Sequence, residues 1–349
     1  MRRSPRSFSA SLALSPCPPV CDPDDDARER ARHSSAISVW LLGARFRFAS
    51  DSPDLLRLVS AAYEGLPQHR WPASCEFLVE LHLLPRNARR SPDGEPPPLQ
   101  TYEMDGALCG VIDACNYVLV MPARRRGVVV ASVDMLEHAP HLRQELIEFA
   151  VFILATRAQG LVPLHAAGFG AGGRGLLLLG NSGAGKSTLA LQAFLQGMEL
   201  LSEDAVFVRT EGMLATGVAN YLHVRTDAAL FSQDEDIVRW IHRSPVIRRN
   251  SGVRKFEVDP RRGYGQLAPV PLRLCAAVFV SDEPAMAGDE LLQPLDTGEP
   301  VAMLRAEQAY AASQPGWDGF IHGMKQLGTF RLLRAHPARA VDALRELLD

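Results

Sequence analysis

One stretch constrains this chain more than any other: Leu176-Leu-Leu-Leu-Gly180-Asn-Ser-Gly-Ala-Gly185-Lys186-Ser187-Thr188-Leu-Ala. An apolar run, a glycine-rich turn and a helix-forming segment follow one another, which predicts a buried strand, a phosphate-binding loop and the start of a helix. Gly180, Asn181, Ser182, Gly183, Ala184, Gly185, Lys186, Ser187 and Thr188 are the candidate cradle. Its glycines let consecutive N–H groups turn inward, where the positive end of the helix dipole adds to their hold on triphosphate oxygens. Lys186 is expected to reach the β- and γ-phosphates and Ser187 to offer a hydroxyl to Mg²⁺, while Thr188 starts a helix through Leu189, Leu191 and Phe194 to about Gly197.

The second signal lies close behind. Glu199-Leu-Leu-Ser-Glu203-Asp204-Ala-Val-Phe-Val-Arg209 reads as an apolar strand that ends in adjacent carboxylates and at once becomes another strand. Asp204 follows Lys186 by only 18 positions, room for one helix and one short strand. The strand after the loop's helix therefore brings both acids back to the loop. There they can meet a metal held by Ser187, or take a proton from an acceptor hydroxyl. Solvated turn acids are the competing reading. Upstream, Leu161-Val-Pro-Leu-His165 predicts a strand entering ahead of a glycine-rich turn over 168–175.

Lysine usage points to one more position. Lys186, Lys255 and Lys325 are the only lysines among 37 basic side chains. Where nearly every surface cation is Arg, a retained Lys suggests a compact point charge. Lys255, with Arg254 or Arg225, is the candidate to neutralise charge on a transferring phosphate, against the plainer reading of a solvated strand face. Residues 231–249, polar and carrying Asp234-Glu-Asp, read as a lid or acceptor-binding segment, or equally as a plain helical excursion.

His165, the loop from Gly180 to Thr188 and Leu201-Ser-Glu203-Asp204 together resemble the catalytic core of HPr kinase/phosphorylase and its relatives, whose fold is shared with PEP carboxykinase. The resemblance covers roughly 160–235 and is strongest there. It implies an α/β phosphate-loop kinase domain with a mixed, largely antiparallel sheet, preceded by a smaller α+β domain. It also implies that His165 sits beside the acid pair, that Asp204 is base and metal contact, and that Glu203 supports it. Two departures stand out: Glu203 occupies a position where the family usually has Asp, and the extended Asn- and Arg-containing signature of phosphorolysis has no counterpart. The likeness is therefore greater to the divergent kinases that accompany ribosomally made, modified peptides, including lasso-peptide tailoring kinases acting on a precursor serine. Segments 222–228 and 252–259 look similar to stretches that follow the acid pair in such kinases.

These readings divide the chain into a disordered segment over 1–34, an α+β accessory or substrate-recognition unit over 35–160 and a catalytic unit over 161–349. In the first unit, a hairpin about Gly43, a helix opened by Ser52-Pro53 and a strand over 76–84 are expected. A charged, proline-rich loop over 86–98, a mainly antiparallel sheet and a long helix from about His141 to Ala158 follow. His69, His82 and His138 read as surface or satisfied structural histidines. A net charge of −3 gives no basic field for nucleic acid, and the longest apolar run, 149–155, is too short for a bilayer. The six cysteines show no metal-ligand spacing, which fits reduced thiols and a cytoplasmic setting.

The reaction expected is an ATP- and Mg²⁺-dependent transfer of phosphate to a serine or threonine of a peptide or small protein. A kinase of a free amino acid or other small hydroxyl compound, and a nucleotide-controlled binding protein without phosphotransfer, are the alternatives. No LSGGQ-like or NKxD motif supports a transporter-type ATPase or a translation-type GTPase. ATP against GTP, a reverse reaction and homo-oligomer formation stay open.

Overall fold

The computed structural model describes residues 35–85, 96–225, 234–248, 253–296 and 298–349. The segment expected over 1–34, most of the loop over 86–98, and both ends of the excursion over 231–249 lie outside them.

The first unit is a seven-stranded sheet in the order β1-β2-β3-β7-β6-β5-β4. Strands β1 (Ser35–Leu41) and β2 (Ala44–Ser50) form the hairpin read from the sequence, with Leu41 opposite Ala44. Helix α1 (Pro53–Tyr63) is capped by Ser52, whose side chain accepts from the Leu55 N–H. Strand β3 (Glu76–Leu84) follows, then β4 (Gln100–Met104), β5 (Ala107–Asp113), β6 (Asn116–Met121) and β7 (Arg126–Ser132). The sheet is less antiparallel than the composition suggests, because β3 runs parallel to both β2 and β7. Helix α1 carries the chain across between β2 and β3, and such a crossover returns a strand in the same direction.

The long helix α2 begins earlier than expected and runs as Ala139–His141, Leu142–Ile147, Glu148–Ile153 and Leu154–Ala158, the second and fourth stretches π-helical. Each wide turn rotates the buried face, so Ile147, Ala150 and Val151 are fully enclosed while Phe149 is only partly covered.

The second sheet contains β8 (Val162–His165), β9 (Ala167–Ala171), β10 (Arg174–Leu179), β11 (Glu199–Ser202), β12 (Ala205–Arg209) and β13 (Leu214–Gly217). Helix α3 (Lys186–Leu195) joins β10 to β11. A small three-stranded sheet, β14-β16-β15, is made of β14 (Leu222–Arg225), β15 (Val246–Arg248) and β16 (Arg254–Val258), with α4 (Glu235–His242) between β14 and β15. The chain then adds β17 (Gln266–Leu267), β18 (Leu272–Pro284) and β19 (Leu292–Pro294) to the larger sheet. Helices α5 (Gly298–Glu307), α6 (Ala309–Ala312) and α7 (Trp317–Met324), strand β20 (Gly328–Arg334) and helix α8 (Pro337–Glu346) complete it.

The stretch 168–175 is mostly strand and not turn: β9 occupies it, and only Gly172 and Gly173 turn the chain. Its glycines admit a neighbour, since a Cβ on Gly170 would sit 1.9 Å from the Arg174 carbonyl oxygen.

The larger sheet has the order β17-β11-β9-β10-β18-β13-β12-β8, with β20 beside β18. It is mixed: β10, β18 and β20 run parallel, while β9, β12 and β13 pair antiparallel with their neighbours. Strand β11 lies near one edge and β12 near the other, yet Glu203 and Asp204 alone join them. A two-residue connection spans only about 7 to 10 Å. The sheet must therefore curl until its ends meet, and the carboxylates mark the junction.

The two units share an interior. Phe207 and Val218 belong to the first unit's core, and the Phe152 and Phe207 rings lie 4.9 Å apart. Buried His69 bridges the units, with Nδ1 2.7 Å from the Thr216 hydroxyl and Nε2 2.9 Å from the Ala268 carbonyl.

Candidate active site

A cleft of about 1000 Å³ opens at the C-terminal end of β10. That position follows from the topology, because ligands of α/β sheets gather beyond the carboxyl ends of parallel strands. The ends of β10, β18 and β20 all reach it, contributing residues 182–189, Val280 to Asp282 and Leu332 to Arg334.

The loop leaves its backbone open to close approach. Gly180 has φ +136°, and a Cβ there would meet the Val280 carbonyl oxygen at 2.9 Å. At Gly183 and Gly185 the positive-φ backbone faces open space. The helix begins at Lys186, two residues earlier than expected, so its free N–H groups come from the loop's end. Lys186 donates to the carbonyls of Gly180 at 2.6 Å and Asn181 at 3.2 Å. Burial lowers its pKa, and the charges of Asp204, Glu307 and Glu203 work against that shift.

Asp204 and His165 form the far wall. His165 Nδ1 and Asp204 Oδ1 are 3.0 Å apart, and both side chains are about half exposed to the cleft. Their backbones are tied as well. Strand pairing sets His165 opposite Ala205, and Ala166 N–H donates to the Asp204 carbonyl at 3.1 Å. The buried amide of Gln308 brackets His165, accepting from its N–H at 2.9 Å and donating to its carbonyl at 3.1 Å. Nothing in the sequence marks Gln308, which arrives from more than a hundred residues away.

Glu203 does not line the cleft; it is buried behind Asp204. Its Oε1 accepts from the ring Nδ1 of His223 at 2.8 Å and from the His223 backbone N–H at 3.1 Å. Its Oε2 is buried without a hydrogen-bond partner among the described residues.

Register divides the three downstream cations. Arg225 is the cross-strand partner of Lys255, and both line the cleft. Arg254 pairs with Arg248, does not line the cleft and is exposed. Strand residues alternate faces, so Arg254 points away from the face that Lys255 presents to the cleft. In the excursion over 231–249, the described part is helix α4, whose Ile241 is fully buried, followed by strand β15.

Among the described residues, no group of three or more His, Cys, Asp or Glu side chains is placed to hold a metal. A divalent ion here would need phosphate oxygens to complete its shell, as Mg²⁺ does in nucleotide sites. The hard oxygen donors on the cleft, the Ser187 hydroxyl and Asp204, fit that ion; Glu203, expected as a second metal contact, stands buried off the cleft and can lend only its charge.

No helix among the described residues is long and apolar enough to cross a membrane. The described cysteines, at 75, 109, 115 and 275, are free thiols. No protein-family model matches the chain, and no curated protein matches it. Among solved structures it is similar to the Hpr(Ser) kinase/phosphatase from Coxiella burnetii, with 14% identity, coverage of 53% of this chain and 88% of that one, and a TM-score of 0.27. At that score the likeness carries no weight for activity or substrate, which rest on the site's own geometry.

Proposed function

We propose that the protein is an ATP- and Mg²⁺-dependent kinase that phosphorylates a serine or threonine hydroxyl of a peptide or small protein. The observation that carries this reading is the pairing of an accessible His165–Asp204 couple, 3.0 Å apart, with an open glycine loop bearing Lys186 and Ser187 across the same cleft. A phosphate site alone would serve a switch; a carboxylate and histidine beside it supply what a hydroxyl acceptor needs.

MgATP supplies the phosphoryl group and the metal charge that offsets its oxygens. The chain does the rest. Loop N–H groups and Lys186 fix the phosphates, and the Ser187 hydroxyl with Asp204 would hold the metal, with the Glu203 charge buried behind Asp204 in support. Asp204, oriented by His165, takes the acceptor's hydroxyl proton as its oxygen bonds to the γ-phosphorus and the bond to ADP breaks. Lys255 and Arg225 face the cleft where charge spreads over the transferring oxygens.

Ligand clefts commonly run from about 300 to 1000 Å³, so this one has room for a nucleotide and a second group. A chain-like acceptor is favoured by β15, the outer strand of the small sheet, which borders the cleft through Ile247. An extended segment can pair along such an edge. One observation favours a small hydroxyl compound instead: Pro140, His141, Gln144 and Glu145 of α2 wall the cleft on the side of the first unit.

The test is mass spectrometry of the protein incubated with ATP, Mg²⁺ and the small peptides encoded beside its gene, with Lys186→Ala as control. One added phosphate on a peptide, absent in the control, is the expected result. A phosphorylated product only from a panel of free hydroxyl compounds would favour the second acceptor. Nucleotide binding without any phosphorylated product would refute the kinase.

A further inference from the structure

The orientation of Glu203 is set from outside the catalytic unit. His223 donates to Glu203 Oε1 through its ring Nδ1 and its backbone N–H. A carboxylate oxygen can only accept, so Nδ1 carries the proton in either charge state of the ring. On the ring's other side, Nε2 lies 3.5 Å from Glu257 Oε1 and 3.1 Å from the side-chain amide nitrogen of Gln144. Glu257 in turn accepts from both terminal nitrogens of Arg143, one of them at 3.2 Å. Arg143 and Gln144 belong to the π-helical stretch Leu142–Ile147 of α2, in the first unit.

Every member of this line except Gln144 is buried, with Arg143, Glu203 and Glu257 at 6%, 4% and 5% exposure. Burial alone would raise the pKa of Glu257, but hydrogen bonds and charge from His223 and Arg143 hold it down at about 2. A buried ion pair is poor evidence for net stability, since desolvation offsets much of its attraction. This one connects a helix of one unit to an acid of the other and fixes how that acid is oriented. Oε1 is committed to His223; Oε2 is buried and has no hydrogen-bond partner among the described residues.

We propose that Arg143 of the first unit is a positioning residue for Glu203, acting through Glu257 and His223 so that the Glu203 carboxylate is held directly behind Asp204 on the metal-nucleotide side of the site. The first unit is then part of the phosphotransfer machinery as well as a wall of the cleft. The inference rests on the proposed reading of the Ser187 and Asp204 side of the cleft as the metal-nucleotide site.

The test uses the full chain and two measurements that need no turnover. The first is ATP affinity by calorimetry with Mg²⁺ and with EDTA, for wild type, Arg143→Met, Glu257→Gln and His223→Gln. Outer-shell partners of metal ligands typically matter by about 10- to 100-fold in metal affinity, so the Mg²⁺-dependent gain should fall about tenfold or more in each variant, while metal-free affinity stays within about twofold. Arg143→Lys should restore part of it. The second is the His223 imidazole N–H proton resonance, assigned by its loss in His223→Gln. It should shift in Arg143→Met, which a purely adhesive ion pair has no reason to cause.

If Arg143→Met does not fold, Glu257→Gln and His223→Gln, which keep shape and hydrogen-bonding capacity, decide. Variants that keep the full Mg²⁺-dependent gain, or that lose metal-free affinity equally, overturn the inference alone. A wild type with no Mg²⁺-dependent ATP binding refutes the proposed function and this inference together.

Discussion

His69→Leu tests how the two units are joined. In the native protein His69 is 5% exposed and bonds to the hydroxyl of Thr216, itself fully buried, and to the carbonyl of Ala268. Leucine fills the space but satisfies neither group. Leaving a buried polar group unpaired costs about 1–3 kcal/mol, so the two together put the loss at about 2–6 kcal/mol near neutral pH. Part of that loss depends on pH. Burial lowers the His69 pKa, with the Ala268 hydrogen bond working the other way. Below the usual histidine pKa of about 6.5, the unfolded chain binds a proton that the folded one resists, so this contribution is complete above that pH and drains away as pH falls. A histidine that stays neutral when folded accounts for about 1.4 kcal/mol between pH 7.5 and 5.5. Urea melts of wild type and variant at those two pH values measure both effects. The wild type should lead clearly at pH 7.5, and its lead should shrink by up to about 1.4 kcal/mol at pH 5.5. An unchanged gap at the two pH values, or one below about 1 kcal/mol throughout, refutes the reasoning.

Gly180→Ala forces a side chain into a φ of +136° and against the Val280 carbonyl, a strain of about 1–3 kcal/mol. Calorimetric ATP affinity should fall about tenfold, and an unchanged value would show that the loop tolerates a Cβ. Asp204→Asn keeps the shape of the His165 contact but cannot accept the hydroxyl proton, so kcat should drop about 10²- to 10⁴-fold with metal-free ATP affinity nearly intact. Steady-state kinetics check it, and retained turnover would remove Asp204 as base. Lys255→Ala should lower kcat by about 10²-fold, whereas Arg254→Ala, one residue away and off the cleft, should change it less than about twofold. Equal effects would contradict the strand register.

The strand, glycine loop and helix and the acid pair behind them were legible because each is local: all lie within about thirty residues, and the spacing to Asp204 returns the chain to the same cleft. The hairpin at Leu41 and Ala44 and the Ser52-capped helix were readable for the same reason. The line behind Glu203 was not, because Arg143, His223 and Glu257 come from three distant segments and meet only when the units pack. Part of it was nevertheless encoded in alternation. Along Leu222-His-Val-Arg225 and Lys255-Phe-Glu-Val258, the polar residues His223, Arg225, Lys255 and Glu257 share one face, while Leu222, Val224, Phe256 and Val258 pack in the core. Attention to charge alone grouped Arg254 with Lys255; a period of two separates them. Glycines at 168–175 misled because a glycine that turns a chain and one that admits a neighbouring strand look alike in sequence.

The two-residue junction between β11 and β12 gives Glu203 and Asp204 a second duty as the clasp of a curled sheet. Sites under chemical selection usually sit on loops that tolerate insertion, so their spacing can drift. Here a single inserted residue would shift one strand's side chains to the wrong face or part the sheet's ends. The acids can change identity but not separation. For anyone redesigning this scaffold, chemistry should be altered by substitution at the junction and never by lengthening or permuting the chain there.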